Sequence, residues 1–282
     1  MRRKIISILV ILVVVLGSGA AGFAIGKSQH QGKPVDERQP IYPSIYITGS
    51  SGKISSIDPI VAGVTADKST RAKRGLEIIV NDDQTLQISG QIDKHNPYPT
   101  IEIGMQTGTN NSLKYENALR VVMSYLGSHY RVPYVNVLGY SAGGSGVYRY
   151  MLEYGQDTNL PTVEKFVSLD GQYNASTAQP DQDYQDVLKN GPKIKTDYYK
   201  FWEENYQKLD PNVQVFMLAG DYDDKKQTDG VVPWADTFSI YPLLVKNDNP
   251  VTTFIFKGAN SDHANVPKNT EAINYIKTVF YK

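Results

Sequence analysis

Apolar residues recur along the chain with two periods, and their alternation organises everything from about residue 41 to the end. Residues 44–48 form a strand-like run ended by Gly49-Ser50-Ser51-Gly52, a flexible stretch able to present backbone N–H groups. Residues 76–80 and 86–89 are two further strand-like runs, and Asn81-Asp82-Asp83-Gln84 between them predicts a hairpin. Residues 100–105 predict another strand. Leu113, Ala118, Leu119, Val122 and Leu126 then fall at helical spacing and predict a helix that leads back to a strand at Tyr134. That strand runs into Gly139-Tyr140-Ser141-Ala142-Gly143-Gly144, after which Val147, Met151 and Tyr154 resume near-helical spacing. Residues 164–169, 213–219 and 252–256 predict three more strands, and 272–280 a closing amphipathic helix. Strands alternating with helices predict an α/β domain with a mainly parallel sheet and helices on both faces.

Residues 173–209 break the pattern. They are polar, rich in Gln, Asp and Tyr, and predict a small cap inserted over the sheet, with a helix near 196–209. The crowded Tyr198, Tyr199, Phe201, Trp202 and Tyr206 read as the core of that cap helix in preference to a substrate platform. The basic run 68–74 reads as a solvated surface.

The first 26 residues follow another rule. Met1-Arg2-Arg3-Lys4 is basic, and residues 5–26 carry no charge, matching the roughly 20 residues that span a bilayer as a helix. This segment is expected to target or anchor the protein. A retained anchor is preferred to a cleaved signal peptide, because no clean A-x-A tripeptide stands near residues 19–24. In either case the basic end stays inside, so the body is expected to be extracytoplasmic, membrane-anchored or secreted after cleavage. Residues 27–40 read as a polar linker and 41–282 as the folded domain.

Composition narrows the chemistry. The 282 residues are 40% hydrophobic, enough for the core of one large domain. Lys+Arg and Asp+Glu number 29 each, so no net field favours nucleic acid. With no cysteine, disulfides, thiolate metal sites and a cysteine nucleophile are all excluded.

A strand, a sharp G-x-S-x-G turn and a helix make Ser141 the candidate nucleophile, since the flanking glycines let the backbone double back and leave Oγ exposed. A serine hydroxyl needs a base, and an imidazole near neutral pKa is the natural one. Of four histidines, His30 lies in the linker and His95 in a polar turn before a strand. His129 precedes the strand of Ser141, about 15 Å or more from the serine at about 3.3 Å per residue. His263 alone follows a strand, in the loop Gly258-Ala259-Asn260-Ser261-Asp262-His263, at the carboxyl edge where parallel sheets bind ligands. Asp221, Asp223, Asp224, Asp229 and Asp236 are candidates for the acid that orients it. Asp229 is preferred, because Thr228-Asp229-Gly230-Val231-Val232-Pro233 combines a glycine turn with a proline-restricted exit. A calcium loop at 221–229 is disfavoured, since Lys225 stands where a third ligand belongs. The backbone N–H groups of Ala142 and Ser50 are the candidate oxyanion donors.

These three motifs, Gly139 to Gly144, Thr228 to Pro233 and Gly258 to His263, resemble the α/β-hydrolase superfamily, in the order Ser, Asp, His. More narrowly, the chain is similar to the exported cell-surface hydrolases of Gram-positive bacteria. That resemblance implies an α/β-hydrolase fold with Ser141 as nucleophile, Asp229 as acid and His263 as base. Two positions depart from the family pattern: Thr48-Gly49 stands where His-Gly is usual, and Tyr140 where His usually precedes the nucleophile. The expected activity is that of a serine hydrolase, a carboxylesterase taking a small-molecule or lipid-like ester through an acyl-enzyme, with no cofactor and no metal. An acyltransferase or peptidase on the same residues is the alternative within enzymology. A catalytically idle surface binding protein on the same scaffold is the alternative outside it.

Overall fold

Two buried strands set the frame. In this computed structural model, which describes residues 38–175, 181–223 and 226–282, β1 (Ser44–Ile47) and β5 (Tyr134–Tyr140) pair in parallel. Their register sets Ser44 against Asn136 and Ile47 against Gly139. Thr48-Gly49 and Tyr140-Ser141 therefore leave the sheet side by side at the same edge.

The rest of the sheet spreads from this pair. β2 (Lys73–Val80), β3 (Leu86–Gly90), β4 (Pro99–Met105), β6 (Thr162–Leu169), β7 (Gln214–Gly220) and β8 (Val251–Phe256) complete eight strands in the order β3-β2-β4-β1-β5-β6-β7-β8. β2 and β3 form the antiparallel hairpin expected from their short polar connection, and every other pairing is parallel. Parallel strands covered on both faces are buried nearly throughout, as β4 and β5 are here.

Helices cover both faces. α1 (Asp58–Ala66) and α6 (Thr270–Tyr281) bury Ile60, Val61, Val64, Ile276 and Phe280 on one side. α2 (Ser112–His129) and α3 (Ala142–Tyr154) bury Leu119, Val122, Val147 and Met151 on the other. Caps set where they start: the Asn111 side chain accepts from Leu113 N–H at 3.0 Å, and that of Asn269 from Ala272 N–H at 2.9 Å. Among the described residues no helix is long and apolar enough to cross a membrane. Residues 5–26, which carry the anchor expectation, lie outside the described residues, as do most of the linker and Asp224 and Lys225.

Between β6 and β7 stand α4 (Tyr184–Asn190) and α5 (Asp197–Asn205), with residues 176–180 outside the description. The aromatic cluster is core here: Tyr199, Trp202 and Tyr206 are buried, and Trp202 Nε1 donates to the Tyr173 carbonyl at 2.8 Å. The basic side chains of the run 68–74 are exposed, as expected of a solvated surface. Arg74 reaches Glu102, buried in β4, at 2.7 Å and Asp58 at 2.6 Å, because a buried carboxylate needs a cation within reach.

One contact links this packing to the site. Gly146 of α3 faces Tyr115 of α2 so closely that an added Cβ would stand 2.1 Å from the Tyr115 Cβ. Alanine is the better helix former by about 1 kcal/mol, but the overlap opposes it. Gly146→Ala is expected to destabilise the protein by about 1–3 kcal/mol, read as a fall in melting temperature. A variant as stable as the wild type would refute this close approach.

Candidate active site

Ser141 follows β5 directly, between Tyr140 and the first residue of α3. Its backbone has φ 52° and ψ −124°, a region that L-residues avoid and that costs about 1–3 kcal/mol. The surroundings enforce it. Ser141 N–H donates to the Leu169 carbonyl of β6 at 2.9 Å, and α3 starts so close to β1 that a Cβ on Gly143 would stand 2.5 Å from the Thr48 carbonyl oxygen.

The structure brings three of the nominated side chains together. Ser141 Oγ lies 3.0 Å from His263 Nε2, and His263 Nδ1 lies 2.5 Å from Asp229 Oδ2. A proton on Nδ1 then leaves Nε2 as an acceptor facing the serine. Asp229 is 1% exposed, and its other oxygen accepts the N–H groups of Val231 at 2.8 Å and Val232 at 2.6 Å. These donors come from the glycine turn, so the turn that positions the carboxylate also stabilises its charge. Asp229 and His263 are joined through the backbone as well, His263 N–H donating to the Asp229 carbonyl at 2.8 Å.

The other candidates lie elsewhere. Asp221 pairs with Lys257 at 3.1 Å, and its carbonyl accepts the Ser261 hydroxyl at 2.6 Å, which steadies the loop of His263. Asp223 is 3.9 Å from Lys226, and Asp224 is outside the described residues. Asp236 Oδ1 accepts the N–H groups of Tyr173 at 2.7 Å and Asn174 at 2.6 Å beneath the cap. His129 ends α2, its Nδ1 2.8 Å from the Tyr125 carbonyl, and His95 sits in the turn before β4.

The two nominated oxyanion donors, the N–H groups of Ala142 and Ser50, are both free of an acceptor among the described residues, and Ala142 N–H is the first of a helix. Gly49 lies against the serine, where a Cβ would stand 3.0 Å from Ser141 Cβ. The Gly49 carbonyl accepts the buried Tyr115 hydroxyl at 2.6 Å and Gly52 N–H at 2.9 Å. In a planar trans peptide the carbonyl and the following N–H point opposite ways, so holding the Gly49 oxygen on one side aims Ser50 N–H to the other. Burial pushes the Tyr115 hydroxyl up to about 12, which keeps it a donor.

Tyr115 is one of three contributing residues that sequence reasoning missed, because nothing in an amphipathic helix marks one tyrosine as a tether. Tyr140 is the second: its hydroxyl donates to the His263 carbonyl at 2.5 Å, and its ring centroid is 5.4 Å from the imidazole. Its departure from the family's histidine was the available signal. The third is Asp170, one of whose oxygens comes within 4.8 Å of a carboxylate oxygen of Asp229 and a ring nitrogen of His263. An Asp-Gly after a strand reads as turn chemistry, so no signal distinguished it.

Sheet order and the strand-turn-helix at Ser141 are those of an α/β hydrolase, and the comparisons agree. The chain belongs to the family described as Alpha/beta hydrolase of unknown function (DUF915), whose model matches residues 31–282. The solved structure of the lin2722 gene product of Listeria innocua is 21% identical with a TM-score of 0.75, covering 86% of this chain and 94% of that one. The "putative cell surface hydrolase" of Lactobacillus plantarum is 20% identical with a TM-score of 0.68, covering 85% and 91%. An esterase of Rhizomucor miehei is 11% identical with a TM-score of 0.51, covering 88% and 75%. No curated protein matches the chain.

Two measurements probe this geometry. Glycine accepts the backbone conformation at position 141 and alanine does not. Ser141→Gly should therefore be more stable than Ser141→Ala by about 1 kcal/mol, or roughly 2–4 °C in melting temperature. The reverse order would show that no strain is stored there. If Ser50 N–H receives an oxyanion, Tyr115→Phe should lower the kcat of hydrolysis about tenfold with KM little changed, since it loosens a donor to the transition state rather than a substrate contact. An unchanged kcat would remove Tyr115 from this role.

Proposed function

We propose that the protein is an extracytoplasmic serine hydrolase that cleaves carboxylic esters through an acyl-enzyme. The observation that carries this reading is the continuous hydrogen-bonded line from Ser141 Oγ through His263 to Asp229, 3.0 Å and 2.5 Å long in its two links. Ser141 Oγ attacks the ester carbonyl carbon while its proton passes to His263 Nε2. Asp229 stabilises the imidazolium, and the Ala142 and Ser50 N–H groups receive the oxyanion. Collapse expels the alcohol, which takes the proton from His263, and water then attacks the acyl-Ser141 ester with His263 as base.

Three further points support the reading. The base needs no rearrangement to act, because its acceptor nitrogen already faces the serine. An esterase is among the solved structures of similar fold. The name of the Lactobacillus relative, together with the uncharged segment behind Met1-Arg2-Arg3-Lys4, supports a location outside the cytoplasm, anchored by that segment or released by its cleavage.

Hydrolysis of p-nitrophenyl acetate tests the proposal. Ser141→Ala and Asp229→Asn should each lower kcat on the order of 10⁴-fold. Added alcohol should not divert the acyl group into a new ester. Transfer products in place of acid would favour an acyltransferase, and a wild type with no turnover would favour an idle binding protein.

A further inference from the structure

Asp170 stands one residue past β6 with a left-handed backbone, φ 47°, and is 1% exposed. Its N–H donates to the Leu218 carbonyl at 2.9 Å, and its Oδ1 accepts Gly220 N–H at 2.8 Å, so β7 holds both its backbone and its side chain. Its Oδ2 is buried with no hydrogen-bond partner among the described residues. The groups that face it are Asp229 from the acid loop, His263 from the base loop and Tyr140 from the end of β5. No lysine or arginine pairs with it among the described residues. An oxygen of Asp170, an oxygen of Asp229 and a ring nitrogen of His263 lie within 4.8 Å of one another. Two ionised carboxyls here would be two acceptors facing each other in a dry place, whereas one proton turns the repulsion into a hydrogen bond.

We propose that Asp170 is a neutral carboxylic acid whose Oδ2–H donates a hydrogen bond to the Asp229 carboxylate, a positioning residue that holds Asp229 in the orientation His263 requires. The proton belongs on Asp170 because the donors are unequally shared. Asp229 accepts two backbone N–H groups and His263 Nδ1–H, so both of its oxygens already serve as acceptors. Asp170 accepts one N–H and is otherwise dry. Burial, and then the neighbouring charge of Asp229, push the Asp170 carboxyl well above the ordinary range. The catalytic consequence rests on the hydrolase reading; the proton assignment does not.

Infrared difference spectra of the free protein at neutral pH, wild type minus Asp170→Asn, test the proton directly. A protonated-carboxyl stretch present in the wild type and lost in the variant is expected, and its absence would overturn the proposal. Kinetics test the positioning. Asp170→Leu should lower kcat about tenfold with KM unchanged. Asp170→Asn, whose amide can donate where the acid did, should restore kcat to within about threefold and leave the acid limb of kcat/KM in place. If Asp170 were ionised, Asn would remove a negative charge within 4.8 Å of the imidazole. The acid limb would then fall by about one pH unit or more, the contrary result. Should the leucine variant fail to fold, the spectra and the asparagine variant still decide. A wild type that shows the band but hydrolyses no ester would contradict the hydrolase reading and leave the proton assignment standing. An active enzyme without the band would do the reverse.

Discussion

The turn at Ser141 is the constraint on which the rest depends. A non-glycine residue at φ 52° persists only where its neighbours over-determine it. Here β5 is clamped between β1 and β6, α3 begins at the next residue, and Leu169 receives the serine N–H. The strain places Oγ above the sheet edge and, by starting a helix at once, leaves Ala142 N–H unpaired beside it. Position and donor come from one conformational choice. The parallel register of β1 with β5 then brings Thr48-Gly49-Ser50 to the same edge without any contribution from the serine itself.

Around that turn, the polar groups are held by backbone more than by one another. Asp229 is fixed by the amides of its own turn, and His263 at both ends of its backbone, its N–H donating to the Asp229 carbonyl and its C=O accepting the Tyr140 hydroxyl. Gly49 is fixed by Tyr115, and Tyr115 by the close approach of α2 and α3 at Gly146. Core packing thus reaches the oxyanion loop through one hydroxyl. A site built this way needs little reorganisation when charge develops, which is where most of the rate of such enzymes originates.

Much of the fold was legible because each strand is a short β-branched or aromatic run and each connection carries turn residues. The α/β class followed from period, the hairpin at 81–84 from its polar turn residues, and the sheet edge of Ser141 from a strand ending in a G-x-S-x-G turn. α1 and α4 did not, because nine residues from Asp58 with a proline near the start and seven from Tyr184 are too short to establish a period. In the site, the order of Ser141, Asp229 and His263 nominated three side chains that meet at hydrogen-bonding distance. Tyr115, Tyr140 and Asp170 were not nominated, since each acts through a spatial neighbour far away in the chain. Asp170 is the sharpest case: its sequence context is an ordinary Asp-Gly turn, and only its burial against a second carboxylate sets it apart.

On the proposed reading, His263 activates Ser141 as the nucleophile. Peptide mapping by mass spectrometry after reaction of the native protein with a fluorophosphonate tests it most directly. A single adduct per chain is expected, on the peptide containing Ser141 and on that residue. An unmodified Ser141, or an adduct on another residue, would contradict it.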